Sequence, residues 1–206
     1  MPEKREMNFQ PSISKEEIAC LPIETFEGQI VVVDEQRVIS KAIEHLSSSG
    51  IVGFDTETRP NFTKNQHHKI ALVQLALDDV CYLFRLNRLG GFPSQLIDFI
   101  NDGKVMKIGL SLQDDFHSIR KRIAIEPANF IDLQKVVPSY GITDISLQKI
   151  YAILFGKKIS KRSRLSNWDA DVLTDAQKQY AALDAWTCLQ IYQLLNTRSE
   201  YRQNIS

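Results

Sequence analysis

The sequence is poor in the residues that mark several protein classes. Its three cysteines, Cys20, Cys81 and Cys188, are an odd number, lie far apart and form no C-x-x-C pair. Neither a disulfide framework nor a zinc site is indicated, and the thiols are expected to serve as small buried hydrophobes. Nine glycines and seven prolines in 206 residues exclude collagen-like and linker-dominated chains. No run of about 18 apolar residues is available to span a bilayer, so no membrane association is expected. The first twenty residues include Lys4, Arg5, Lys15, Glu16 and Glu17 and lack the apolar stretch of a secretory signal, which makes the cytoplasm the expected location. A dominant charge is missing too, because 25 Lys plus Arg balance 25 Asp plus Glu. Nucleic-acid binding usually leaves a basic excess, and taken alone the balance argues against a phosphate partner.

What is present suits one globular domain with a substantial core, given that 43% of the residues are hydrophobic. Residues 1–28 read as a polar arm, in which Ser14 and Glu17 have capping-box spacing ahead of Ile18. The β-branched run 29–33 predicts a strand, and Asp34 is placed to cap a helix carrying Val38, Ala42, Ile43 and Leu46. A strand starts at Ile51, and 69–77 with 80–84 predict an antiparallel hairpin turning at Asp78 and Asp79. Helices are expected at 93–100 and 113–123, strands at 104–108 and 129–131, and helix for most of the remainder. The pattern predicts an α/β fold, a mixed central β-sheet flanked by helices, with residues 29–206 as the domain proper.

Acids stand where an apolar core is expected. Asp55 and Glu57 follow the strand residues 51–54, and strand alternation puts both on one face with Thr56 on the other. Two such carboxylates either spill into a solvated turn or hold a hard divalent cation, Mg²⁺ or Mn²⁺. Tyr180 and Asp184 are one helical turn apart, beside the small Ala181 and Ala185 and behind the capping residue Thr174. Such a pair is commonly a surface feature, yet Leu183, Trp186, Cys188, Leu189 and Ile191 surround it and favour an inward Asp184. On the helix expected at 113–123, Asp115 lies on the face of Leu112 and Ile119, whereas Asp114 lies on the polar side as a helix-start charge.

Three segments together resemble the exonuclease motifs of the DEDDy superfamily: Val52-Gly53-Phe54-Asp55-Thr56-Glu57, Lys107-Ile108-Gly109 followed by Asp115-Phe116, and Tyr180-Ala181-Ala182-Leu183-Asp184-Ala185. Gly156-Lys157-Lys158, Arg164, Ser166-Asn167-Trp168 and Leu173-Thr174-Asp175-Ala176-Gln177 resemble its ribonuclease D and Werner syndrome exonuclease branch. The similarity runs from about residue 29 to 197. It implies a ribonuclease H-like fold and a metal-dependent 3′-5′ exonuclease that hydrolyses phosphodiester bonds at the 3′ end of DNA or RNA and releases nucleoside 5′-monophosphates. By the same resemblance Asp55, Glu57 and Asp184 hold one of two Mg²⁺ or Mn²⁺ ions, Asp55 and Asp115 reach the second, and Tyr180 orients the attacking water. The alternative is a catalytically silent nucleic-acid-binding or scaffold protein of the same fold.

Lys157, Lys158, Lys161, Arg162 and Arg164 place five cations in eight positions with no acid among them. They are either a solvated loop or the approach for phosphates. Phe62 and Lys64 follow the first motif, where Phe62 could stack on a base or pack inward. Trp168 is expected in the core. With four acids committed to two divalent ions, the loaded protein would carry about four positive charges, so the balanced formal charge does not exclude a phosphate partner.

Overall fold

The structure, a computed structural model, describes residues 9–60 and 69–203. Among these residues six strands form one mixed sheet: β1 Gln29–Val33, β2 Ile51–Thr58, β3 Ile70–Ala76, β4 Val80–Arg85, β5 Met106–Gly109 and β6 Phe130–Asp132. Their order is β1-β4-β3-β2-β5-β6. β2, β3 and β4 pair antiparallel, so the expected hairpin is present, while β1, β5 and β6 join in parallel. Among the described residues seven α-helices accompany them: α1 Lys15–Cys20, α2 Gln36–Ser48, α3 Ser94–Asn101, α4 Leu112–Arg120, α5 Leu133–Val136, α6 Leu147–Phe155 and α7 Asp175–Gln203. No helix among the described residues is long and apolar enough to cross a membrane.

The sheet separates two cores, as alternation along its strands requires. Val52, Phe54, Val73 and Leu75 pack on one face with Leu46 of α2, Leu96 of α3 and Ile119 of α4. Ile108 and Leu83 pack on the other with Ile150 of α6, Trp168, and Tyr180, Ala181 and Ala185 of α7. α7 crosses closest at Gly53, where any Cβ would collide with the Ala185 carbonyl. Glycine there lets the helix lie directly on β2.

The arm is stitched to the domain. Ser14 and Glu17 form the expected capping box, the Ile13 amide donates to Asp144 Oδ2 at 3.0 Å, and Ile23 bridges Lys158. Two local expectations change. The N-cap of α2 is Glu35 rather than Asp34, and it makes no side-chain cap bond. Cys81 and Cys188 are buried as expected, but Cys20 is exposed, because the short α1 buries only Ile18.

Candidate active site

The site forms where β2 outruns its neighbour. β5 pairs only with Ile51, Val52 and Gly53 of β2, so Asp55, Thr56 and Glu57 extend beyond the end of β5. Asp55 and Glu57 share the Gly53 face, against which α7 packs, and α7 brings Asp184 in nearly fully buried. Carboxylate oxygens of Asp55, Glu57 and Asp184 lie within 4.8 Å of one another. Tyr180, one turn earlier on α7, donates its phenol O–H to Asp184. The start of α7 is fixed by a reciprocal cap in which the Gln177 amide donates to Thr174 Oγ1 at 3.2 Å and the Thr174 amide to Gln177 Oε1 at 3.0 Å. Gln177 Nε2 also donates to the Asn167 carbonyl at 3.1 Å, tying the helix start to the preceding loop.

Asp115 arrives from the opposite layer. Thr56 faces α4, and its hydroxyl donates to Asp115 Oδ1. Asp114 is exposed and accepts from Ser111 Oγ at 3.0 Å, so the carboxylate brought to the cluster is that of Asp115. The α4 start that sets this geometry is held by Asp132, which accepts from the Ser111 and Leu112 amides, both at 3.1 Å. Ser111 itself is in the left-handed region, with φ 61°. Sequence reading missed both Thr56 and Asp132. Alternation gave the face of Thr56, but only the fold supplies the partner waiting there. Thr56→Val should lower the activity that the cluster supports by about tenfold, the usual scale for losing a group that orients a functional side chain, and Thr56→Ser should restore most of it. Single-turnover rates check this, and a Val variant as fast as the parent would contradict it.

Burial raises the proton affinity of all four carboxylates, and mutual repulsion adds to it at Asp55 and Glu57. Burial, then the charges of Asp115, Asp184 and Glu57, push the Asp55 carboxyl well above its ordinary range. Burial and then Asp184 and Asp115 raise Glu57 to about 9, with Arg164 opposing. Burial raises Asp115 to about 7 against the Thr56 hydroxyl bond, and it raises Asp184 to about 7 against Tyr180, Lys161 and Arg164. Burial, followed by Asp184 and Glu57, drives the Tyr180 phenol upward as well, so it stays protonated.

A stability consequence follows with a definite sign. The unfolded chain loses these carboxyl protons near pH 4, while the folded chain keeps them to about 7 at Asp115 and Asp184 and about 9 at Glu57. Across that window the folded state binds more protons, so without a cation its stability falls as pH rises. Metal-free melting temperatures should therefore be lower near pH 9 than near pH 6, and added Mn²⁺ should raise the melting temperature most at the higher pH. A flat metal-free profile would contradict the clustering.

The basic segment divides by destination. The charges of Lys161 and Arg164 act on Asp184, and that of Arg164 also acts on Glu57. Arg162 lines a cavity of about 370 Å³ with Ile23, Phe26 and Tyr180. Lys157 instead pairs with Glu24 at 3.0 Å, and the Lys158 ammonium donates to the Ala19 carbonyl. Those two lysines tie the arm to the domain, while the Lys157 side chain stays half-exposed. Glu24 is buried, and although burial opposes its ionisation, hydrogen bonds from Tyr151 and Lys157 hold its carboxyl below the usual range. Trp168 is buried as expected, its ring centroid 6.1 Å from that of Tyr180. Phe62 and Lys64 lie outside the described residues.

Known proteins share this arrangement of elements. A family model described as 3′-5′ exonuclease matches residues 30–200. The mouse bifunctional 3′-5′ exonuclease/ATP-dependent helicase WRN is 30% identical over 192 residues, covering 89% of this chain and 14% of that protein. Among solved structures, the Nibbler EXO domain of Aedes aegypti superposes with a TM-score of 0.77 at 20% identity, covering 87% of this chain and 94% of that one. Trypanosoma brucei RNase D in complex with RNA U12 gives 0.71 at 20% identity, covering 82% of this chain and 63% of that one. The chain spans between 14% and 63% of the length of WRN and seven further curated relatives, the others being 3′-5′ exonucleases of Drosophila and Arabidopsis. The fold is ribonuclease H-like, and the chain belongs to the 3′-5′ exonuclease family.

Proposed function

We infer that this chain removes nucleotides from the 3′ end of DNA or RNA, releasing nucleoside 5′-monophosphates, with two divalent cations, Mg²⁺ or Mn²⁺, held by Asp55, Glu57, Asp115 and Asp184. The observation that carries this reading is the set of carboxylate oxygens of Asp55, Glu57 and Asp184 within 4.8 Å of one another, with Asp115 close enough to raise the proton affinity of two of them. Ionised carboxylates cannot share a buried site without a cationic partner. An all-oxygen donor set suits hard Mg²⁺ or Mn²⁺ rather than a thiophilic metal, and four negative charges match two divalent ions. Such ions, when bound, supply an acidified water and neutralise charge on the phosphate.

The side chains divide the remaining work. Asp55 and Glu57 stand on a rigid strand and Asp184 on a long helix pressed against it, so the donors are held in place before substrate arrives. Tyr180 keeps its proton and is fixed on Asp184; its role is to orient the incoming water, because a phenol held protonated cannot serve as the base. Lys161 and Arg164 supply positive charge at the approach, where a phosphodiester backbone must enter. That a T. brucei relative is described in complex with RNA supports RNA as one substrate class. The silent-scaffold alternative is disfavoured by four intact carboxylates, since a protein without catalysis has no use for their mutual repulsion.

Matched 5′-labelled DNA and RNA oligomers incubated with Mg²⁺ or Mn²⁺ should give a ladder shortening from the 3′ end that EDTA stops. Absence of a ladder on every substrate, or internal cuts, would overturn the reading. Arg164→Ala should raise KM about tenfold, with a smaller change in kcat, and reduce the slope of log affinity against log salt by about 0.7 to 1, the loss of one phosphate contact. An unchanged salt slope would remove Arg164 from the substrate path.

A further inference from the structure

Gln74 is fully buried in the middle of β3, and neither its Nε2 nor its Oε1 has a hydrogen-bond partner among the described residues. A buried amide left unpaired on both atoms destabilises a fold, and an apolar residue of similar shape would do better in its place. Its neighbours on the same face, Leu72 and Ala76, belong to the apolar core, and Leu83 stands across from it on β4. The remaining cross-strand partner is the informative one. The register sets Gln74 directly opposite Asp55 on β2, which puts both side chains on the α7 face with Cβ atoms about 5 Å apart.

We propose that Gln74 is a positioning residue for Asp55, its amide N–H donating to a carboxylate oxygen of Asp55 in the metal-loaded state. The proposal rests on the divalent-cation reading of the site. An ionised carboxylate has about four acceptor positions, so oxygens that face cations still have lone pairs for a donor behind them. Ligating carboxylates are generally oriented by such a donor, and losing it weakens metal affinity by about 10- to 100-fold. Glu57, by comparison, pairs across the strands with the apolar Leu72 and gains no such donor from β3. Asp55 alone among the β2 acids has a polar side chain directly across the sheet.

The test compares the parent with Gln74→Met, which keeps length without polar atoms, and Gln74→Leu, which fills the space differently. Two quantities are read: Mn²⁺ affinity by calorimetric titration, and melting temperature without divalent cation. Both variants should melt at or above the parent temperature when metal-free, yet bind Mn²⁺ about tenfold more weakly. A structural residue would show the reverse, a lower metal-free melting temperature with Mn²⁺ affinity unchanged, and that result overturns the proposal. Equal affinity in all three proteins overturns it too while leaving the metal site standing. A parent that binds no Mn²⁺ removes the metal-site reading itself, and the proposal with it.

Discussion

Asp55→Asn should reduce 3′-end hydrolysis by about a thousandfold or more, while the same protein, stripped of divalent cations, melts at a higher temperature than the parent. The opposite directions come from one cause. Asp55 is half-buried beside Asp115, Asp184 and Glu57, and desolvation together with their charges works against its ionisation. The asparagine side chain has nearly the same volume, so no cavity forms, and the repulsion is relieved. Catalysis loses an anionic donor from the centre of the cluster. Transition-state charge stabilisation by bound metal is worth several kcal/mol, and a loss of about 4 kcal/mol corresponds to roughly a thousandfold in rate. Ladder rates and metal-free melting curves on one preparation give both readouts. A variant within about tenfold of parental activity, or one that is slower and also less stable, would contradict the role given to Asp55.

Gly53→Ala should be the most damaging alanine substitution among the nine glycines. Its Cβ would meet the Ala185 carbonyl, backbone atoms that cannot rotate away, with Leu189 Cβ at 3.3 Å behind them. Relief requires lifting α7 from β2, and α7 carries Tyr180 and Asp184 while β2 carries Asp55 and Glu57. Overpacking of this kind costs about 3 kcal/mol, a fall of about 6–12 °C in melting temperature for a domain of this size. A misplacement of about 1 Å between the two ligand-bearing elements costs about a hundredfold in rate. Circular-dichroism melting and the ladder assay should show both losses together. An alanine variant with the parental melting temperature would mean that the helix does not lie on the strand as described.

Much of this was legible from residue order. Alternation along β2 separated Asp55 and Glu57 from Thr56, the 3.6-residue period selected Asp115 over Asp114, and Thr174 announced the start of α7. What stayed hidden depended on contacts distant in sequence. Five clustered cations look alike in the chain, yet Lys157 reaches Glu24 across 133 positions whereas Lys161 and Arg164 face the carboxylates. Gln74 lies within an apolar run and reads as an ordinary strand residue until register puts Asp55 opposite it. Lys107 carries a charge that alternation cannot place. It is fully buried, its ammonium donates to the Ala128 carbonyl at 3.0 Å, and it sits 5.2 Å from the ring centroids of both Phe99 and Phe130. Burial lowers it to about 8. Patterns of period and charge say which face a side chain occupies, and tertiary packing decides what meets it there.

Whether the four acids form a site for divalent cations is read from calorimetric titration of the metal-free protein with Mn²⁺ at neutral pH. Two ions should bind per chain with release of protons, because Glu57 holds its proton to about 9 and Asp115 and Asp184 to about 7 and ligands must ionise to coordinate. Asp55→Asn should weaken the binding of both ions. Mn²⁺ heats no different from buffer dilution, or binding unaffected by Asp55→Asn, would contradict a cation site at these four acids.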